Sequence, residues 1–217
     1  MAVVLPDARV VAARERPPGS LPPRTRLWLD FVNTDAAGQS PGGDLLRDFE
    51  ALLTWLQQHA AVDDERAGGI LRRAVLQPAA AAATLVDARR VRAALRALAE
   101  RGEQQARVRD DAVVEINRVL GRSAGTRRID PRSDGGYTRS FVPTGDAFAG
   151  LMIPIVESAA ESLVEEELGR VRRCADPRCH RVFLDATKNG LRRWCDMGTC
   201  GNRAKAARHR ARAAGAM

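Results

Sequence analysis

The chain has 217 residues, 45% of them hydrophobic and 29% charged, with a net charge of +8. This is the length of one or two domains with a real core and an ordinary composition for a soluble globular protein; no apolar run reaches the roughly 20 residues of a membrane span. The charge is uneven: residues 170–217 hold 13 Lys and Arg against 3 Asp and Glu, and the rest of the chain holds 22 against 24. A basic block confined to the last fifth of the chain points to a polyanionic partner, most often nucleic acid.

In chain order, residues 1–20 have a short apolar start without a cationic segment ahead of a long apolar core, which does not read as a secretory signal; a cytoplasmic protein is expected. The prolines of Arg14–Arg24 predict a flexible or polyproline-like leader over 1–24. "LWLDFVNT" (Leu27–Thr34), apolar with β-branched and aromatic residues, reads as a short strand. After the loop "DAAGQSPGG", Asp44 is placed to cap a helix whose Leu45, Phe49, Leu52, Leu53 and Leu56 recur at helical spacing. A second helix starts near Asp63 or Asp64 and ends before Pro78. A long one follows over 79–100, with Leu85, Ala88, Val91, Leu95 and Leu98 inward. Another covers "DDAVVEINRVLGR", with Val113, Ile116 and Leu120 inward and Gly121 near its stop.

Asp134-Gly135-Gly136 is a turn signal inside "RRIDPRSDGGYTRSFVP", which predicts a small hairpin or a pair of edge strands that could pair with the Leu27–Thr34 strand. A final helix of this domain is expected over 146–173, kinked or restarted at Pro154. It runs straight into Cys174, without a loose linker.

The cysteines are spaced Cys174-x4-Cys179, then fifteen residues, then Cys195-x4-Cys200. Two close pairs across a short spacer are a zinc pattern, because four thiolates complete a tetrahedral shell. A module this small cannot fold on its apolar residues alone, and metal binding supplies the missing free energy. Disulfides are disfavoured in a cytosolic chain, and an iron–sulfur cluster is the other metal reading. A cysteine loop, a strand-like "RVFLD", a turn at "KNG", a return strand and a helix entered at the second pair make the treble-clef order.

"CADPRCHRVFLDATKNGLRRWCDMGTCGNRAKAARHRAR" resembles the CGNR zinc-finger family, in both cysteine pairs, "FLD", "RRWC" and "CGNRAKA". "LWLDFVNT", the "LLTWL" helix and the long helix before the finger are similar to the ABATE domain that precedes this finger in bacterial proteins. The resemblance implies one zinc ion per chain and a transcription regulator. The fold class is therefore α+β, mostly α. It comprises a helical domain over 25–170 with a few β-strands, then a small treble-clef-like zinc finger over 171–217 with a basic terminal helix.

On that helix Lys205, Arg208 and Arg212 share one stripe, and Arg203 and Arg210 a second direction, suited to phosphates or guanine edges of double-stranded DNA. Arg172, Arg173, Arg192 and Arg193 add charge nearby. Arg203 can alternatively brace the finger by pairing with Asp185. Trp194 reads as core of the small module. Asp30, Asn33 and Thr34 are polar residues in an apolar stretch; they either line a pocket for a small-molecule effector or close a turn. No phosphate loop, nucleophile elbow or paired catalytic carboxylates appear, and a cysteine-filled zinc has no open position for water, so no enzyme is expected. The expected whole is a cytoplasmic regulator, nucleoid-associated when on DNA, with an N-terminal domain that senses or dimerises as a homodimer. The rival is a zinc-stabilised module that docks on an acidic protein and leaves DNA alone.

Overall fold

The computed structural model describes residues 26–35, 43–100, 105–122, 124–131, 137–146 and 148–214. The leader over 1–24 and the Asp134-Gly135-Gly136 turn lie outside the described residues. The first element is α1 (Leu27–Val32), a helix and not the expected strand. Trp28, Phe31 and Val32 are fully buried and Leu29 nearly so. A short run that is apolar on nearly every side carries no period to separate strand from helix. Its neighbours decide: Trp28 Nε1 donates to Ser162 Oγ at 2.9 Å across to a later helix.

Four helices follow: α2 (Phe49–Gln58), α3 (Asp64–Leu76), α4 (Pro78–Ala99) and α5 (Gln105–Arg122). Asp63 caps α3, as expected. The cap of α2 is Asp48, not Asp44: its side chain accepts the Ala51 N–H, and α2 starts four residues later than the spacing suggested. Asp44 instead pairs with Arg92 of α4, at 2.6 and 2.5 Å. Leu46, not the half-exposed Leu45, enters the core. On α5 Ile116 is buried and Leu120 packs against the core, as expected, but Ala112, Glu115 and Val119 are buried beside them and the expected Val113 is exposed. Glu115 turns inward because Arg118 and Arg90 both pair with it.

Strands β1 (Gly125–Pro131) and β2 (Tyr137–Pro143) form the expected antiparallel hairpin, in register Gly125↔Pro143 to Pro131↔Tyr137. It pairs with no other strand among the described residues, since Leu27–Val32 is helical. Gly150 follows at φ +79°; a Cβ there would meet Phe141 Cε1 at 2.7 Å, so a side chain is excluded twice over.

The helix expected over 146–173 is only α6 (Ile153–Val164), with Pro154 in its first turn, where proline costs no hydrogen bond. Glu166, at φ 56°, breaks the path, and a short 3-10 turn (Glu167–Arg170) leads into β3 (Val171–Arg173). β3 pairs antiparallel with β4 (Val182–Leu184), in register Val171↔Leu184. The strand after β4 expected beyond "KNG" is absent among the described residues; residues 191–194 are irregular. The finger's hairpin thus precedes and follows the first cysteine pair. The last helix is α7 (Asn202–Ala214).

The core places the finger. Val171 and Val182 belong to the same buried cluster as Trp28, Leu52, Leu95 and Ile155. A second, small cluster holds Cys174, Cys179, Phe183 and Cys200, with Trp194 and Cys195 packed against it. The finger therefore has a metal-side core of its own but shares its hairpin with the helical domain.

Candidate metal centre and nucleic-acid interface

The first cysteine pair sits in the loop that closes β3 on β4. Cys174 N donates to Arg181 O at 2.9 Å, one step beyond the ladder. The buried Asp176 turns the loop: its Oδ1 accepts the Arg178 N–H at 3.0 Å, and Cys179 N donates to Asp176 O at 2.8 Å. The Arg178 N–H first, and Arg203 beside it, hold the Asp176 carboxyl below the usual range. Asp185 is fully buried and folds the return segment. Its carboxylate accepts the N–H and hydroxyl of Thr187 and the N–H of Arg192. Burial opposes that charge, and the hydrogen bonds outweigh it, so its pKa lies below the ordinary value.

The second pair is built by a π-turn over Met197–Gly201 that opens into α7. Asp196 caps it, Oδ1 accepting Thr199 N–H at 2.7 Å and Thr199 Oγ1–H at 2.9 Å. Gly201 lets the turn close under Met197, whose Sδ would lie 2.7 Å from an added Cβ. Asn202 Nδ2 donates back to Gly198 O at 2.9 Å.

These loops bring the four Sγ atoms within 4.8 Å of one another. Cys195 Sγ is 3.7 Å from both Cys179 Sγ and Cys200 Sγ, and no disulfide forms. A tetrahedron of thiolates about 2.3 Å from one zinc has edges of about 3.8 Å, so the set fits a single ion and is too tight for a multi-iron cluster. Burial pushes the Cys179 and Cys195 thiols up. It opposes Cys200 as well, but hydrogen bonds from the neighbouring thiols and Thr199 hold Cys200 below its ordinary value. Sulfurs this crowded and buried become thiolates together only around a cation. The ion is a zinc, one per chain.

The basic side chains divide into two groups. Arg173 Nη2 donates to His180 Nδ1 at 2.9 Å, Arg192 donates to the carbonyls of Trp194 and Cys195 while lying over Phe183, and Arg193 lies over Trp194. These charges serve the finger's own loops. Lys205, Arg208, Arg210 and Arg212 are exposed and make no hydrogen bond or ion pair within the described residues, and every residue over 205–213 is exposed. Arg203 belongs with the first group, but its partner is not Asp185. Its Nε donates to Asp176 Oδ2 at 2.8 Å and its Nη2 to Cys200 Sγ at 3.0 Å. Asp185 instead holds its own turn, through Thr187 and the Arg192 N–H.

Asn33 and Thr34 spend their polar atoms inside the fold. Asn33 Nδ2 donates to Val182 O at 2.8 Å, and Val182 N donates to Asn33 Oδ1 at 2.9 Å. The amide thus occupies the open edge of β4 as a strand would. Thr34 Oγ1 donates to Phe31 O and accepts from Arg92 Nη1 at 3.1 Å. Asp30 Oδ2 is buried with no partner among the described residues, and burial raises its pKa. Sequence reasoning missed Arg96, which donates to His180 O at 2.8 Å and to Val32 O at 2.9 Å, tying finger to α1. One arginine among many on an amphipathic helix carries no mark of that role.

Residues 25–166 match the ABATE family, described as "Putative stress-induced transcription regulator", and residues 170–213 match the CGNR zinc finger. No curated protein matches the chain. Among the described residues no helix is long and apolar enough to cross a membrane.

Proposed function

The chain belongs to the ABATE family and ends in a CGNR zinc finger, and we propose that it regulates transcription by gripping double-stranded DNA through α7. In this reading Cys174, Cys179, Cys195 and Cys200 hold the zinc, and the zinc sets where α7 starts. One observation carries the proposal: α7 is exposed over every residue from 205 to 213, and it is cationic without a single acidic residue. A helix of this length gains little by itself in water, because most helical stability comes from packing. Arg208 and Arg212, one turn apart, also repel each other. A phosphate backbone removes that repulsion and gives the helix a surface to lie on, with Ala204, Ala207 and Ala211 allowing close approach.

The test is the salt dependence of duplex binding. If Lys205, Arg208 and Arg212 each neutralise a phosphate, log K falls with log salt by about 0.9 per contact. Replacing all three with alanine should flatten the slope by roughly 2–3 units while leaving zinc content unchanged. Equal slopes for the two proteins would overturn the phosphate contacts and favour docking on an acidic protein.

The helical domain is the input side. Because Asn33 and Thr34 are committed internally, an effector is better sought in the cavity of about 810 Å³ among α3, β2 and α6, lined by Val62, Arg66, Phe141, Pro154 and Ser158. A volume of that order suits a small molecule. A homodimer would present two α7 helices to two half-sites.

A further inference from the structure

We propose that Arg203 is a positioning residue of the zinc site, not a DNA contact: its guanidinium locks the two halves of the metal centre together and fixes the direction in which α7 leaves it. The proposal rests on the reading of the cysteine cluster as a zinc centre and of α7 as the DNA-facing helix.

A zinc ion with four thiolates carries a net charge of −2. Cys174, Cys179 and Cys200 are 6, 6 and 2% exposed, so little of that charge is met by water. Arg203 places a permanent cation on it. The Nη2–Sγ separation to Cys200 is 3.0 Å, short for a donor to sulfur, and the bond is charge-assisted. The other arm reaches Asp176, itself 5% exposed, with Nε to Oδ2 at 2.8 Å.

The two partners come from different halves. Cys200 belongs to the turn that opens α7, and Asp176 belongs to the loop between Cys174 and Cys179. Asp176 is anchored independently, since its Oδ1 holds the Arg178 N–H. One planar side chain therefore spans from ligand loop to ligand loop, and a fork of fixed geometry does this where a flexible ammonium cannot. The consequence reaches α7. Residues 205–213 are all exposed, so within the described residues nothing further along supports the helix. Its axis is set where it begins, by Asn202 on Gly198 O and by Arg203 on the first loop. Arg203 thereby aims Lys205, Arg208 and Arg212.

The test separates this role from a phosphate contact. In the full chain, Arg203→Met keeps the length and apolar stem but removes charge and donors; Arg203→Lys keeps the charge and loses the fork. Zinc affinity is read by competition with a chromogenic chelator. Arg203→Met should weaken it by roughly 10–100-fold, the usual effect of losing a partner that supports a metal ligand. Arg203→Lys should recover only part of the loss. With zinc saturating, Asp176→Asn, which keeps the Arg203 charge, should weaken duplex binding as Arg203→Met does, because both release the aim of α7; a phosphate contact by Arg203 predicts the loss in Arg203→Met alone. Asp176→Asn, which leaves Arg203 and Cys200 in place, should lower zinc affinity as well, and its effect should not add to that of Arg203→Met. Should Arg203→Met fail to refold around zinc, the Asp176→Asn variant and Arg203→Lys still decide. Unchanged zinc affinity in the variants, or duplex binding weakened in zinc-saturated Arg203→Met but kept in zinc-saturated Asp176→Asn, would overturn the proposal. The chelator readout stands whether or not the chain binds DNA, so failure of this inference and failure of the DNA reading are told apart.

Discussion

Asn33→Ala tests how the finger is held to the helical domain. The Asn33 amide makes two hydrogen bonds to one residue of β4, Nδ2 to Val182 O at 2.8 Å and Val182 N to Oδ1 at 2.9 Å. Alanine leaves an N–H and a carbonyl of a strand edge without partners. Each bond contributes about 1 kcal/mol net, so the pair should cost about 2 kcal/mol. The figure stays near the net value because the site is half-buried and water can reach part of the vacated edge. Arg96 still bonds His180 O, and Val171 and Val182 still pack, so the hairpin should loosen and not detach. Amide hydrogen exchange reads this directly: about 2 kcal/mol corresponds to roughly 30-fold faster exchange at Val182. Asn33→Asp should be worse, since a carboxylate oxygen then faces Val182 O where a donor stood. Zinc content should stay at wild type, because the cysteines lie beyond the strand. Val182 exchange within about twofold of wild type would refute the clamp.

Two further perturbations probe the metal and the charge pairs. Cys195→Ser should take zinc from one per chain to near zero by elemental analysis, and the finger's loops should lose exchange protection with it; retained zinc would remove Cys195 from the ligand set. The bond to Arg92, chiefly, holds the Asp44 carboxyl below its ordinary value. A depressed folded value means that the pair stabilises the fold above the ordinary carboxylate range and that this is lost as pH falls through the folded value. Asp44→Asn should therefore cost about 1–2 kcal/mol at neutral pH, limited by Asp44's 35% side-chain exposure, and nothing at low pH. Denaturant midpoints that shift equally at both pH values would refute the pairing.

The finger was the most legible part because its chemistry lies in a few residue types at fixed spacing. Paired cysteines require a shared centre whatever the loops between them do. What spacing does not encode is which strand pairs with which. The return strand expected after "KNG" fails because Asp185 folds that segment onto itself, and β4 takes its partner from upstream, at Val171–Arg173. The same limit applies at Leu27–Val32, where a short run buried on all sides has no period to read. The α3 and α4 bounds were legible because Asp63 and Pro78 punctuate them. The phase of α5 was legible only in part, at Ile116 and Leu120, because Glu115 is drawn inward by Arg90 and Arg118, and a pattern of apolar residues cannot anticipate an ion pair. Asn33 was visible as an oddity in an apolar stretch, but its partner lies 149 residues away.

That distant pairing bears on how a regulator of this build can work. α1 is tied at both ends. Arg26, just before it, pairs with Glu165 and Glu167 at the close of α6, and Trp28 bonds Ser162 on the same helix. Asn33, just after it, holds β4, and Arg96 of α4 bonds both Val32 O and His180 O. α6 itself runs through the Glu167–Arg170 turn into β3. The finger is thus reached by two routes from the helical domain, one covalent through α6 and one by hydrogen bonds through α1, and both end on the β3–β4 hairpin. α7, by contrast, is rooted in the metal centre alone among the described residues. If α7 grips DNA as proposed, a change in the helical domain reaches it by moving the hairpin, and with it the loop bearing Cys174 and Cys179. Arg203 then carries that displacement through Asp176 to the first turn of α7.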